Sequence, residues 1–140
     1  EGVDKGTPTP LVLNFHGFGG CASDYAADVG GLYGMHAQAD AGGFIVAWPQ
    51  GVVRNKEAPE WDPGDNGSTD IPRNDPLFVE RVIADIGDEV EVDASRVYAT
   101  GYSNGGMMAF GLACTRGASF AAVGVMSGVM LGMRAATSIL

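Results

Sequence analysis

The residues best able to do chemistry in this chain lie in one glycine-rich run, Tyr98-Ala99-Thr100-Gly101-Tyr102-Ser103-Asn104-Gly105-Gly106. Gly101, Ser103 and Gly105 make a G-x-S-x-G pattern. A serine hydroxyl becomes a useful nucleophile when a sharp strand-to-helix turn, a nucleophile elbow, holds it exposed. Its neighbours two residues to either side must be small, because the chain packs closely there. The helix that follows points free N–H groups and the positive end of its dipole at negative charge developing on a bound oxygen. The chemistry served is acyl transfer through Ser103. The plainer reading is a glycine-rich turn with an incidental serine.

A second run has the composition that chemistry would ask for. His16-Gly17-Phe18-Gly19-Gly20 follows a short apolar stretch. An oxyanion needs a second backbone donor, from a loop after an earlier strand. The N–H groups of Phe18 and Asn104 are the expected pair. His16 reads as a structural histidine, since the base follows the serine in this arrangement. His36 falls on an apolar helical stripe and reads as half-buried filling. Asp62, Asp65, Asn66 and Asp70 crowd one stretch, but their spacing does not match a D-x-[DN]-x-[DN]-G calcium loop. They read as a solvated turn cluster, and no metal or cofactor is expected. Met107, Met108, Met126, Met130 and Met133 read as core filling. Cys114 lies 11 residues after Ser103; at 1.5 Å per residue that is ~15 Å along a helix. This is too far for a bond to Cys21, which adjoins the His16 turn.

The elements that would position these residues follow from hydrophobic pattern and punctuation. Leu11–Phe15, Phe44–Trp48, Arg96–Thr100 and Phe120–Met126 read as strands. Leu32, Met35, His36 and Ala39 recur at helical spacing, and Gly42-Gly43 stops them. Residues 49–74 form a long polar excursion. Asp75 is expected to cap a helix with Pro76 at its first position and a stripe of Val79, Val82, Ile83, Ile86 and Val90. Met107–Ala113 reads as a helix buried on nearly all sides. Apolar strands alternating with helices indicate an α/β fold with about four parallel strands and helices on both faces. Any site then lies along the edge formed by the strand C-termini.

Composition bounds the partners. The chain has 140 residues, 46% hydrophobic, with 17 Asp and Glu against 8 Lys and Arg, for a formal charge of −9. Mean hydropathy is +0.08. These values exclude a disordered chain and argue against a nucleic-acid partner. The longest uncharged run, residues 117–133, falls short of the ~20 residues a membrane helix needs. All 17 acidic residues stand at or before Asp93, and neither histidine follows Ser103.

Taken together, PLVLNFHGFGG, GFIVAWPQG, the Trp61 stretch, SRVYATGYSNGGMMAFGLAC and FAAVGVMSG resemble the poly(3-hydroxybutyrate) depolymerase and feruloyl esterase group of α/β-hydrolases. The resemblance runs from about Pro10 to Gly128. It implies a carboxylic-ester hydrolase, often extracellular, acting through an acyl-serine without a metal. The implied substrate is a small-molecule or polymeric ester, and the charge and the short uncharged run lead to the expectation of no nucleic-acid or membrane partner. Ser103 is then the nucleophile, Phe18 and Asn104 supply the oxyanion N–H groups, and Gly17, Tyr102 and Trp61 border the substrate.

The family places its acid and histidine after later strands, in the order Ser, Asp, His. This chain carries neither after Ser103, and its tail from Met130 departs from the family's approach to the next strand. Residues 1–140 are therefore expected to be the N-terminal part of a single α/β-hydrolase domain, nearly inactive alone. Cys114 is expected to have its partner in the other part, and the sheet edge at Phe120–Met126 to invite oligomerisation. A non-catalytic α/β ligand-binding module and a non-functional truncated product stay open as alternatives.

Overall fold

The computed structural model describes residues 6–28, 31, 33–54, 57–64 and 74–130. Strand β1 (Thr9–Phe15) is followed by helices α1 (Ala22–Ala27) and α2 (His36–Gly42), then β2 (Ile45–Ala47). Two short strands, β3 (Val52–Val53) and β4 (Pro59–Glu60), precede α3 (Asp75–Glu89), β5 (Val92–Tyr102), α4 (Asn104–Thr115) and β6 (Ala122–Met126). The main sheet has the order β2-β1-β5-β6, and every neighbouring pair is parallel. All four expected strands are present, within a few residues at their ends. β3 and β4 form a separate antiparallel pair inside the stretch expected to be irregular.

The order explains the layering. From β1 the chain moves outward to β2, then crosses back over β1 to β5 and on to β6. Right-handed crossovers place α3 and α4 on the face opposite α1 and α2. On the α3–α4 face, Leu11, Leu13 and Phe15 of β1 meet Val97 and Ala99 of β5, in register at Leu11↔Val97 and Leu13↔Ala99. Val79 of α3 and Met108, Ala109 and Leu112 of α4 close over them, and Leu11, Leu13, Phe15, Val79 and Met108 are fully buried. Arg116 at the end of α4 pairs with Glu80 of α3 at 2.9 Å, fastening the two helices at their rim.

Three local expectations are corrected. The cap of α3 is Asn74, whose Oδ1 accepts from Leu77 N–H at 3.1 Å. Asp75 is instead the first helical residue. Its carboxylate is taken up by Arg54 Nη2 and by Asp62 N–H, each at 2.6 Å, so the neighbouring amide does the capping. Helix α2 begins only at His36; Met35 sits before it in the left-handed region at φ 53, and Gly43 ends it at φ 63. Leu32 lies outside the described residues, as do Asp65, Asn66 and Asp70. Finally, α4 is buried on one side only: Ala113 and Cys114 are exposed.

Candidate active site

β5 ends at Tyr102 and α4 begins at Asn104, so Ser103 alone makes the turn between them. It does so at φ 53 and ψ −115, a conformation that L-residues rarely adopt. Such strain persists only where the surroundings over-determine it. The surroundings here are backbone. A Cβ on Gly105 would collide with the carbonyls of Phe15 and His16, and one on Gly101 would collide with Gly105. Ser103 N–H donates to Met126 O of β6 at 2.8 Å, and Ser103 O accepts from Met107 N–H at 3.0 Å to start the helix. The N–H of Asn104, first in α4, has no carbonyl one turn behind it.

The glycine turn after β1 comes up beside this serine. A Cβ on Gly17 would lie 3.6 Å from Ser103 Cβ and 3.3 Å from the Tyr102 ring. Gly17 N–H donates to Tyr25 Oη at 3.1 Å. Gly17 O accepts from Gly20 N–H at 2.9 Å and from His16 Nδ1–H at 2.7 Å. Gly19 N–H donates to Pro59 O at 2.8 Å. Among the described residues the N–H of Phe18 has no acceptor, and its side chain is 55% exposed.

His16 is fully occupied by this turn. Its Nε2 accepts from Gly51 N–H and from Gln50 Nε2, both at 3.0 Å, so the proton must sit on Nδ1, where it reaches Gly17 O. The ring is 1% exposed. Burial pushes its pKa below the ordinary 6.5, against the opposing pull of the Gly17 carbonyl. Neither nitrogen is open to take a proton from Ser103. His36 Nε2–H donates to Ala26 O at 2.6 Å and the ring packs at an angle on Trp48, remote from the serine's own contacts.

Trp61 is placed beneath the site. It is 3% exposed, so its ring offers little surface to a substrate. The ring meets Phe15 edge-on at 5.1 Å and His16 at 5.1 Å, and its Nε1–H donates to His16 O at 3.0 Å. Its backbone is clasped by the Asn104 side chain. Asn104 Oδ1 accepts from Trp61 N–H at 2.7 Å, and Asn104 Nδ2–H donates to Trp61 O at 3.1 Å. Tyr102, 36% exposed, ends a row of aromatic rings: Tyr25 stacks on Tyr33 at 4.4 Å, and Tyr33 meets Tyr102 at 5.8 Å.

The fold thus brings together Gly17, Phe18, Tyr102, Ser103 and Asn104, with Trp61 below them. Tyr25, Gln50 and Gly51 serve the same turn and carry no signal in the sequence beyond the Trp48-Pro49-Gln50-Gly51 punctuation. A hollow of about 240 Å³ between Asn14, Tyr33, Met35, Gln38, Thr100 and Met126 opens on the face nearer Tyr33. A larger one, about 550 Å³, lies at the start of β5, the end of the strand remote from Ser103. Among the described residues, no His, Cys, Asp and Glu side chains gather as a metal site would require. No helix of the described residues is long and apolar enough to cross a membrane.

Comparison with known proteins gives this geometry its context. Over 130 residues the chain is 33% identical to a probable feruloyl esterase C of Aspergillus terreus, covering 91% of this chain and 43% of that protein. It is 34% identical over 119 residues to a putative esterase, NocK, of Nocardia uniformis, covering 85% of this chain and 33% of that one. The chain therefore spans less than half the length of these relatives. Among solved structures, an acetyl xylan esterase from Aspergillus awamori superposes with a TM-score of 0.70 at 26% identity, over 87% of this chain and 42% of that one. The family model described as Esterase PHB depolymerase matches residues 6–140, so the chain belongs to that esterase family, and its parallel sheet with covering helices is of the α/β-hydrolase fold.

Proposed function

We propose that this chain carries the nucleophile and the oxyanion-binding half of a serine carboxylic-ester hydrolase. The observation that carries the reading is the strained backbone of Ser103 at the β5–α4 turn, set beside the Gly17 turn. Ser103 Oγ attacks the ester carbonyl carbon. The carbonyl oxygen takes the negative charge and accepts from the N–H groups of Phe18 and Asn104. The serine proton passes to a base and on to the departing alcohol, leaving an acyl-serine that water then cleaves. Gly17 and Tyr102 border the reacting ester, and Trp61 supports them from below.

Among the described residues no imidazole or carboxylate bonds to Ser103, and both nitrogens of His16 are committed. We therefore assign base and acid to a part of the domain complementary to residues 1–140, and the 140-residue polypeptide alone to near inactivity. The names of the relatives, feruloyl and acetyl xylan esterases, support a small or polymeric ester as substrate. The same family likeness supports a reaction outside the cell. The outer position of β6 supports self-association of the isolated chain.

The test is labelling of the 140-residue polypeptide with a fluorophosphonate, read by peptide mass. A bond forms from Ser103 Oγ to phosphorus, fluoride leaves, and added imidazole takes the proton. The expected result is slow labelling confined to Ser103, faster with imidazole and absent in Ser103→Ala. An unmodified Ser103 at high imidazole overturns the reading. Saturable ester binding in that case identifies a binding module.

A further inference from the structure

The two backbone donors proposed above come from distant parts of the chain, 86 positions apart. What holds them at a fixed separation is visible as a continuous bridge. It starts at Asn104, whose side-chain amide makes two hydrogen bonds to the backbone of Trp61. It passes through the Trp61 indole N–H to His16 O. It continues through His16 Nδ1–H to Gly17 O. Gly17 C=O and Phe18 N–H belong to the same rigid peptide plane, so a bond to one end sets the direction of the other. Donation to Gly17 O also polarises that amide and strengthens Phe18 N–H as a donor.

Resting on the esterase reading, we infer that Asn104, Trp61 and His16 form a positioning bridge that fixes the spacing and direction of the two oxyanion donors. Trp61 is then a positioning residue and not a substrate contact. Three features are accounted for at once. The indole is buried beside the site yet spends its N–H on a backbone carbonyl. Asn104, at the first position of a helix, directs its amide sideways to another segment and does not cap. His16 is held in one tautomer from its far side by Gly51 N–H and Gln50, although it can accept no proton from Ser103.

The experiment compares the wild-type 140-residue polypeptide with Asn104→Ala, Asn104→Asp, Trp61→Phe and the double variant Asn104→Ala/Trp61→Phe. Asn104→Asp keeps an acceptor for Trp61 N–H and removes only the donor, so it serves if Asn104→Ala does not fold. Two readouts are taken: amide NMR signals with hydrogen exchange of the Trp61 indole, and fluorophosphonate labelling of Ser103 with imidazole present. The expected result is at least tenfold faster indole exchange in both Asn104 variants, with the Phe18 amide displaced in all variants. The maximal labelling rate should fall about tenfold in each single variant at unchanged half-saturating probe concentration. The double variant should be no slower than the slower single one, as expected of residues acting as a unit. Val79→Ala, a core change outside the bridge, should lower stability without this loss of labelling rate. If Ser103 labels equally fast in all variants, or if the Phe18 amide is unmoved, the bridge does not set the donors and the inference falls while the esterase reading stands. If wild type is not labelled at all, the reading itself falls, and the inference with it.

Discussion

At the residue scale, the proposed mechanism uses the backbone N–H of Phe18 and not its ring. The ring is 55% exposed, and the N–H has no acceptor among the described residues. Phe18→Ala should therefore leave fluorophosphonate labelling of Ser103 nearly unchanged. Phe18→Pro removes the donor and should slow it by about 10²–10³-fold. Equal rates in the two variants would place the oxyanion elsewhere. His16 gives a second prediction with a definite sign. Its folded-state pKa lies below 6.5, because burial disfavours the charged ring. The unfolded chain thus binds its proton first as pH falls. The stability contributed by neutral His16 is complete above about pH 6.5 and is lost as pH drops through the folded value. Denaturant midpoints between pH 7.5 and 5 should decline in wild type, and the part of that decline due to His16 should vanish in His16→Asn. The sharp turn at Ser103 and its close approach to the Gly17 turn were legible from Gly101-Tyr102-Ser103-Asn104-Gly105 and His16-Gly17-Phe18, because backbone sterics demand those glycines. The true place of Trp61 was not. A buried indole and a substrate-facing one look alike in sequence, and only the partners Asn104 and His16, 43 and 45 positions away, distinguish them.

At the scale of elements, the turn works because two segments approach to backbone contact. A Cβ on Gly105 meets the carbonyls of Phe15 and His16 at the end of β1, and neither can withdraw without breaking the β1–β5 ladder. Gly105→Ala should cost about 3 kcal/mol, the upper part of the overpacking range, read as a lower denaturant midpoint at constant slope. A loss below about 0.5 kcal/mol would mean that the two segments do not meet at backbone contact. The start of α3 makes a comparable case. Asp75 is buried and holds Arg54, which also donates to Glu60 O of β4, so one carboxylate ties the β3–β4 pair to the helix. Asp75→Ala strands a mostly buried guanidinium and should cost about 3 kcal/mol, whereas Asn74→Ala loses only a cap worth about 1 kcal/mol. The reverse order would mean that capping outweighs the ion pair. The strands of the main sheet could be read from the sequence because parallel, doubly covered strands are nearly continuous apolar runs. The cap lies one residue earlier than the local pattern indicates because Asn74 and Asp75 are both good caps. The choice was made by Arg54, 21 positions earlier, which no local pattern reveals.

At the scale of the whole molecule, charge and apolar surface are separated along the chain, and the separation has a consequence for assembly. All acidic residues stand at or before Asp93, whereas β6 and the residues after it carry exposed Met126, Val129 and Met130. β6 is an outer strand of the four, with β5 on one side, and Ala122, Gly124 and Met126 are exposed along it. An outer strand that is short, uncharged and partly apolar lacks the lysines and prolines that ordinarily discourage pairing. Opposing this, a net charge of −9 makes two copies repel at long range, and that repulsion is screened beyond ~10 Å at 0.1 M salt. The balance predicts association that strengthens with salt. Sedimentation of the 140-residue polypeptide should give a mass near 14.4 kDa at low concentration and low salt, rising with both protein and salt. Val125→Lys on β6, whose side chain is half-buried against Gly106 and Gly128, would perturb packing as well as the edge, so Ala122→Lys, at an exposed position of the same strand, is the cleaner gatekeeper. It should hold the protein monomeric at salt levels where wild type associates. Association that weakens with salt would point to ion pairing between copies in place of the β6 edge. A wild-type mass that stays at one chain throughout would show that the exposed strand is already protected.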